Sequence, residues 1–350
     1  MSTNINILNI NKHFLHNKEP VFTSNYRNKI VNYSHFSINE ANICHKIKKI
    51  PYYSNFFSIL EDHEALNVSE LNEVIIEKLS VSDKEYYLFK YNDKNAIDFI
   101  DFLYNFTSIK KLILENMNTF EHLLYGLHTL NRNNVCYFDI TPKNLLFLEN
   151  YREKPLLSNF KFSLNLNKLD YTYISHILNK MEVFTYQPLE IHILYYFVKH
   201  NLVTISYGFI EEFCEEFVEN LYILRLFSDN YKKLYKEQCI ETMRKYINRP
   251  RKEIVDDILE RNNKWDVYGI SMIFIHIFGC ISRIFSLKGT FISKITIELT
   301  KNLHPDSDKR YSLENTLYIF KKHLNEQNDW KFVNNLDNNK LSELFGELEK

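Results

Sequence analysis

The chain has 350 residues, 45% hydrophobic and 25% charged, which excludes a disordered protein and allows one large domain or two ordinary ones. Lys and Arg total 43 against 44 Asp and Glu, so the formal net charge of −1 gives no electrostatic reason for nucleic acid or an anionic membrane as the main partner. Five scattered cysteines (Cys44, Cys136, Cys214, Cys239, Cys280) form no C-x-x-C pair, which argues against a zinc site or disulfide framework and fits buried thiols in a reducing compartment.

The polar start "MSTNINILNINKHF" lacks the basic flank and apolar core of a secretory signal. "VFTS" and "NKIVNY" read as strands, and "EVIIEKLSVS" with "KEYYLFKY" as a hairpin across "SVSDKE". Between them, "SINEANICHKIKKI" carries a helix start signal, with Ser37 as N-cap and Glu40 three residues on. From about residue 95 the pattern turns helical. Ile113, Met117, Phe120, Leu124 and Leu127 fall on one helical stripe. "NYREKPLLSNFKFSL" reads as a hairpin, and most of the chain beyond it as helices. The 16 residues "VYGISMIFIHIFGCIS" are shorter than the roughly 20 a membrane span needs and contain His276, so a buried helix is the reading. The end of the chain, after about residue 330, is polar and reads as a loosely attached tail.

The stretch "CYFDITPKNLLF" sets Asp139 and Asn144 five positions apart between apolar segments. Alone, D-x-x-x-x-N also fits a polar loop whose side chains bond local backbone. Four further stretches come after it in order: "LLSNFKFS", "YQPLEI", "KWDVYGISMIF" and "HPDSDKRYSLENTL". Together these five resemble the protein kinase superfamily over about residues 20 to 325. Tyr137-Phe138-Asp139 and Asn144 resemble its catalytic loop, and Asn159-Phe160-Lys161 its Asp-Phe-Gly. Pro188 and Glu190 resemble the Pro and Glu of Ala-Pro-Glu, Asp266 the aspartate that holds the catalytic loop, and Arg310 the arginine that pairs with that Glu. The Tyr-Phe-Asp variant and the composition are similar to kinase-like proteins of large DNA viruses.

The resemblance implies an α+β, two-lobed protein-kinase-like fold. A small strand-rich N-lobe with an N-terminal extension occupies 1–92, and a hinge lies near Lys90-Tyr91-Asn92. A large helical C-lobe covers 93–330 with a helical insertion at 191–263, and 331–350 forms the polar tail. The insertion reads as an extra helical subdomain or as a docking surface with aromatic anchors. The resemblance further implies Asp139 as catalytic base, Lys143 as a second catalytic group, Asn144 and Asn159 as metal ligands, and Lys29 and Glu40 as the nucleotide-gripping pair. Tyr137, Phe160, Pro188, Glu190, Asp266 and Arg310 would hold the fold. Lys29 also reads as a solvated strand-end lysine, Glu40 as part of the capping box, and Lys143 as a solvated loop charge.

The chain departs from the family where phosphate is handled. No glycine precedes Gly126, so a glycine-rich phosphate loop cannot exist in its usual form. Asn32 aligns near the strand lysine, with Lys29 three positions earlier. Asn159 replaces a metal-binding aspartate with a neutral amide, a poorer ligand for a hard cation. Phe138 replaces the arginine through which activation-loop phosphates act. The expectation is a pseudokinase that binds or regulates a protein partner. The alternative is a divergent active kinase that moves the ATP γ-phosphoryl to a Ser, Thr or Tyr of a protein substrate, with ATP and Mg or Mn as cofactors. A small-molecule phosphotransferase is a remote third. An intracellular, cytoplasmic setting is expected, in a host cell if the chain is viral, with no nucleic acid and no membrane.

Overall fold

The computed structural model describes residues 8–10, 26–66, 85–93, 95–148, 154–181, 185–200, 202–326 and 331–349. It is a mixed α+β structure, with small antiparallel sheets toward the N-terminal side and a helical C-terminal part. The chain forms two compact units. One comprises 1–102 and 143–163, the other 103–142 and 164–350. The division therefore does not fall at a hinge near residue 92. Lys90 and Tyr91 lie inside a strand, and the strand unit also takes the segment 143–163.

In the strand unit, β1 (Leu8–Ile10), β2 (Arg27–Asn32), β3 (Leu60–Leu66) and β4 (Tyr86–Tyr91) form an antiparallel sheet in the order β1-β2-β4-β3. β4 pairs on both edges, which suits its run of Tyr86, Leu88, Phe89 and Tyr91, all buried. Edge strand β3 carries Asp62 and Glu64 outward, charges that discourage pairing with another chain, and Lys90 binds both carboxylates. Helix α1 (His35–Ile47) begins one turn earlier than its sequence suggests. Ser34 is the N-cap and exchanges hydrogen bonds with Ser37, so Ser37 is not the cap and Glu40 is not part of a capping box. A second sheet joins β5 (Ile97–Asp98), β7 (Leu145–Phe147) and β8 (Leu156–Leu157), over which Phe102 stacks on Phe147 with ring centroids 3.8 Å apart. "NYREKPLLSNFKFSL" is thus not a hairpin in itself, because β8 pairs back to β7. The strand "VFTS" and the first arm of the expected 73–91 hairpin lie outside the described residues.

The helical unit opens with the end of α2 (Phe99–Tyr104) and with α3 (Ile109–Arg132), whose stripe Ile113, Met117, Phe120, Leu124 and Leu127 is buried. β6 (Val135–Cys136) pairs with β9 (Leu164–Asn165). The remaining helices are α4 (Tyr171–Leu178), α5 (Leu189–His200), α6 (Tyr207–Asn220), α7 (Asp229–Arg244), α8 (Arg251–Glu260), α9 (Trp265–Ile284), α10 (Phe291–Lys301), α11 (Leu313–Glu326), α12 (Lys331–Asn334) and α13 (Leu341–Leu348). By length and apolarity α9 could cross a membrane, but fifteen of its twenty residues are buried, which makes it the core helix of this unit.

The 191–263 region is helical as expected and packs on this core. The Tyr235 hydroxyl donates to the Leu303 carbonyl at 2.8 Å, and Leu226 lies so close to Gly279 that an added Cβ would meet it at 2.7 Å. The end of the chain is not a loose tail. α13 lies on α9 with Leu344 fully buried, Phe345 edge-on to Tyr104 at 5.0 Å, and Glu347 paired with Arg283. A few apolar residues at helical spacing suffice to dock a segment that is polar on average.

Candidate functional site

In the helical unit, Asp139 comes directly after a backbone turn held open against its own preference. Phe138 has φ of 69°, and the Asp139 N–H donates to the Tyr137 carbonyl at 2.8 Å, closing a three-residue γ-turn. A bulky residue at positive φ costs about 1–3 kcal/mol and persists only where its surroundings over-determine it. They do here. The two Asp266 carboxylate oxygens accept the backbone N–H groups of Tyr137 and Phe138, each at 2.8 Å. The Gln187 amide donates to the Phe138 carbonyl, and the Phe138 ring tilts against Trp265 at 5.6 Å. α9 approaches this loop through Gly269, where a Cβ would lie 3.2 Å from the Tyr186 carbonyl and 3.3 Å from the Ile140 Cβ. Burial pushes the Asp266 carboxyl up to about 6, while the two N–H donors pull the other way.

One helix away, Arg310 grips Glu190 with two hydrogen bonds, Nη1 to Oε1 at 2.6 Å and Nη2 to Oε2 at 2.9 Å. The Arg310 side chain is fully buried and also donates to the carbonyls of His304 and Pro305. Burial works against this charge, but Glu190 holds its pKa above the ordinary value. Pro188 is buried before α5, and its carbonyl accepts the Ile191 N–H. Tyr137 is fully buried in the same unit.

In the strand unit, Asn144 and Asn159 meet. The Asn159 Nδ2 donates to the Asn144 Oδ1 at 2.9 Å. Asn159 takes the left-handed conformation (φ 59°, ψ 64°), which Asn tolerates better than most residues. Ser158 ties the two segments further through its N–H and hydroxyl, both on the Asn144 carbonyl. The next residue, Phe160, is fully buried and edge-on to Phe57 at 6.1 Å. This pair fits a divalent cation poorly. The Asn144 Oδ1 already accepts a hydrogen bond from the neighbouring amide, which leaves the buried and unpartnered Asn159 Oδ1 as the one open oxygen of the two side chains. Neither group is charged, and among the described residues no group of three His, Cys, Asp or Glu side chains could hold a metal.

Lys29 and Glu40 are both buried, but no ion pair joins them among the described residues. Glu40 instead accepts the Tyr91 hydroxyl at 2.8 Å, and the Lys29 ammonium lies 5.8 Å from the Tyr91 ring centroid. Burial, then the Glu40 charge, push the Tyr91 phenol well above its ordinary pKa, so it keeps the proton it donates. Arg27, two residues before Lys29 on the same strand face, lies 4.5 Å over the Tyr91 ring and grips Asp93 through Nε and Nη2 at 2.6 and 2.7 Å. The Ser58 hydroxyl donates to that carboxylate at 2.6 Å. Asn39 forks from α1 onto the carbonyls of Lys161 and Ser163 at 3.0 and 2.9 Å, with Phe36 edge-on to Phe162. Lys143 is exposed.

Sequence reasoning misses Arg27, Asn39, Ser58, Tyr91, Asp93 and Gln187. Most act across long sequence separations, and no motif carries them. No protein-family model matches the sequence, and a comparison with curated proteins finds no match.

Proposed function

We propose that this chain is a pseudokinase: a kinase-shaped module that binds or regulates a protein partner and does not transfer phosphoryl groups. The observation that carries this reading is the Asn159–Asn144 hydrogen bond, in which one amide occupies the other's oxygen and no carboxylate is present, where the kinase resemblance calls for a carboxylate and an amide on a metal. The separation of Lys29 from Glu40, with Glu40 on Tyr91, points the same way, since a phosphate grip needs that lysine positioned by that carboxylate. The order of elements agrees: strands and one helix, then a helical unit built on a buried α9.

The test is a thermal-unfolding scan with and without ATP, in magnesium and in manganese. Ligand at 100 times its Kd raises stability by about 2.7 kcal/mol, a shift of a few degrees in Tm. The expected result is no metal-dependent shift.

A second reading, the divergent active kinase, is favoured by one observation: the chain maintains a strained turn beside Asp139 with three separate polar contacts, and strain of this kind clusters at functional sites. A metal-dependent Tm shift, with protein phosphorylation lost on Asp139→Asn, would establish this reading and overturn the first.

A further inference from the structure

The surface of the 191–263 region is divided into charge blocks that the kinase resemblance does not require. From the last residue of α7 to the first turn of α8 the chain reads "RKYINRPRK", five basic residues in nine: Arg244, Lys245, Arg249, Arg251 and Lys252. This loop is built and not merely exposed. Tyr246 is buried beneath it with its hydroxyl on Asp257, Asn248 turns the chain at φ 58°, and the N–H groups of Asn248 and Arg251 donate to the carbonyls of Ile205 and Val203. Arg244, Lys245, Arg249 and Lys252 are exposed, and Arg249 and Lys252 form no ion pair among the described residues.

The strand-like segment that receives the loop leads directly into α6, "YGFIEEFCEEFVEN", whose Glu211, Glu212, Glu215, Glu216 and Glu219 are all exposed. Of these only Glu215 has an ion pair, with Lys236, among the described residues. Between the basic loop and the glutamates sit two outward apolar side chains, Val203 at 71% and Tyr207 at 44% exposure, the latter beneath the Arg244 guanidinium at 6.0 Å.

We infer that this face is a self-complementary interface, and that its occupant is a second copy of this chain. In a two-fold dimer the same patch serves both subunits, so a positive block beside a negative block matches its own copy when rotated, each loop meeting the partner's α6. The exposed Val203 and Tyr207 lie between the blocks, where the axis would pass and where interfaces place apolar side chains inside a charged rim. An extended polyanion or an anionic membrane laid on the loop would run into the five glutamates, which argues against those occupants. This inference is independent of the pseudokinase reading.

The test uses the full chain in sedimentation velocity. The wild type is expected to dimerise at low salt and dissociate as salt rises from roughly 0.05 to 0.5 M, because screening shortens the reach of exposed charges. Arg249→Glu with Lys252→Glu, and separately Glu211→Lys with Glu212→Lys, should each be monomeric with an unchanged Tm. Mixed together, these two variants should restore a dimer, because each reversed block then faces a complementary one. Val203→Asp should dissociate the dimer without altering any charged residue. A wild type that stays monomeric at low salt and high concentration overturns the proposal, as does a dimer that survives both reversals. A monomer whose loop instead captures an acidic peptide overturns the second copy as occupant.

Discussion

Each unit sets one arginine on a carboxylate with two hydrogen bonds, but the two pairs belong to different surroundings. In the helical unit, Arg310–Glu190 is sealed from solvent on the arginine side, and its remaining donors go to backbone carbonyls. It joins the chain near α5 to the chain before α11, as Asp266 joins α9 to the loop at 137–138. In the strand unit, Arg27–Asp93 has a guanidinium side chain 29% exposed, stacked on Tyr91, whose hydroxyl is taken by Glu40. There the charged groups bond mainly to other side chains. The difference teaches that charge has been kept in the helical unit where it fixes backbone, while in the strand unit Glu40 and Asp93 are taken up by side chains of the chain itself and the buried Asn159 Oδ1 is left without a partner.

The comparison breaks first, if it breaks, at the two arginines. Arg310→Ala leaves Glu190 buried without its partner and should cost about 3–5 kcal/mol in urea unfolding. Asp93→Ala leaves an Arg27 that water can reach, and should cost about 1–3 kcal/mol. Equal costs would mean that both pairs are structural in the same sense.

Asp266 gives the next effect, read by pH. Its carboxyl is raised from 3.8 to about 6, so the folded state holds an extra proton between those values. Stability of the helical unit should therefore fall as pH rises across that interval and level off above it, by roughly 3 kcal/mol at most. Asp266→Asn should flatten this component in the difference curve while weakening the hold on one of the two N–H groups. An unchanged slope in the variant would assign the pH dependence to another group.

Smaller effects sharpen the contrast in the strand unit. Tyr91→Phe removes the donor to buried Glu40 and should cost about 1–3 kcal/mol, visible as faster hydrogen exchange in α1 but not in α9. Asn159→Asp should change metal-free stability by less than about 1 kcal/mol, near the worth of one hydrogen bond. The same variant should gain a manganese-dependent rise in Tm that the wild type lacks. A wild type that already shows that rise would contradict the poor fit of the amide pair to a cation.

Much of the helical unit is legible in the sequence because its signals are local or dense. The stripe through Phe120 and the apolar run of α9 are periodic, and Asp266, Glu190 and Arg310 stand in recognisable stretches. The strand unit is less legible because its decisions are made at a distance. Ser34 and Ser37 both precede a residue that could close a capping box, and locally nothing separates them. What fixes Glu40 as a buried acceptor is Tyr91, 51 residues later, and the partner of Arg27 lies 66 residues away. The C-terminal helix is hidden for another reason: Leu344 and Phe345 are too few to raise the average of a polar segment, yet one buried leucine and one ring contact dock it.

The discontinuity of the strand unit also sets a timetable for synthesis. β7 and β8 belong to that unit but are encoded after α3, so the unit lacks its second sheet until residue 157 has been translated, roughly 55 residues after the first segment ends at 102. At about 5–20 residues per second, the nascent β2–β4 region waits several seconds at the ribosome exit with Phe102 lacking the Phe147 face it stacks on. During those seconds the charged edge of β3 is the chain's own protection against pairing with a neighbouring nascent strand.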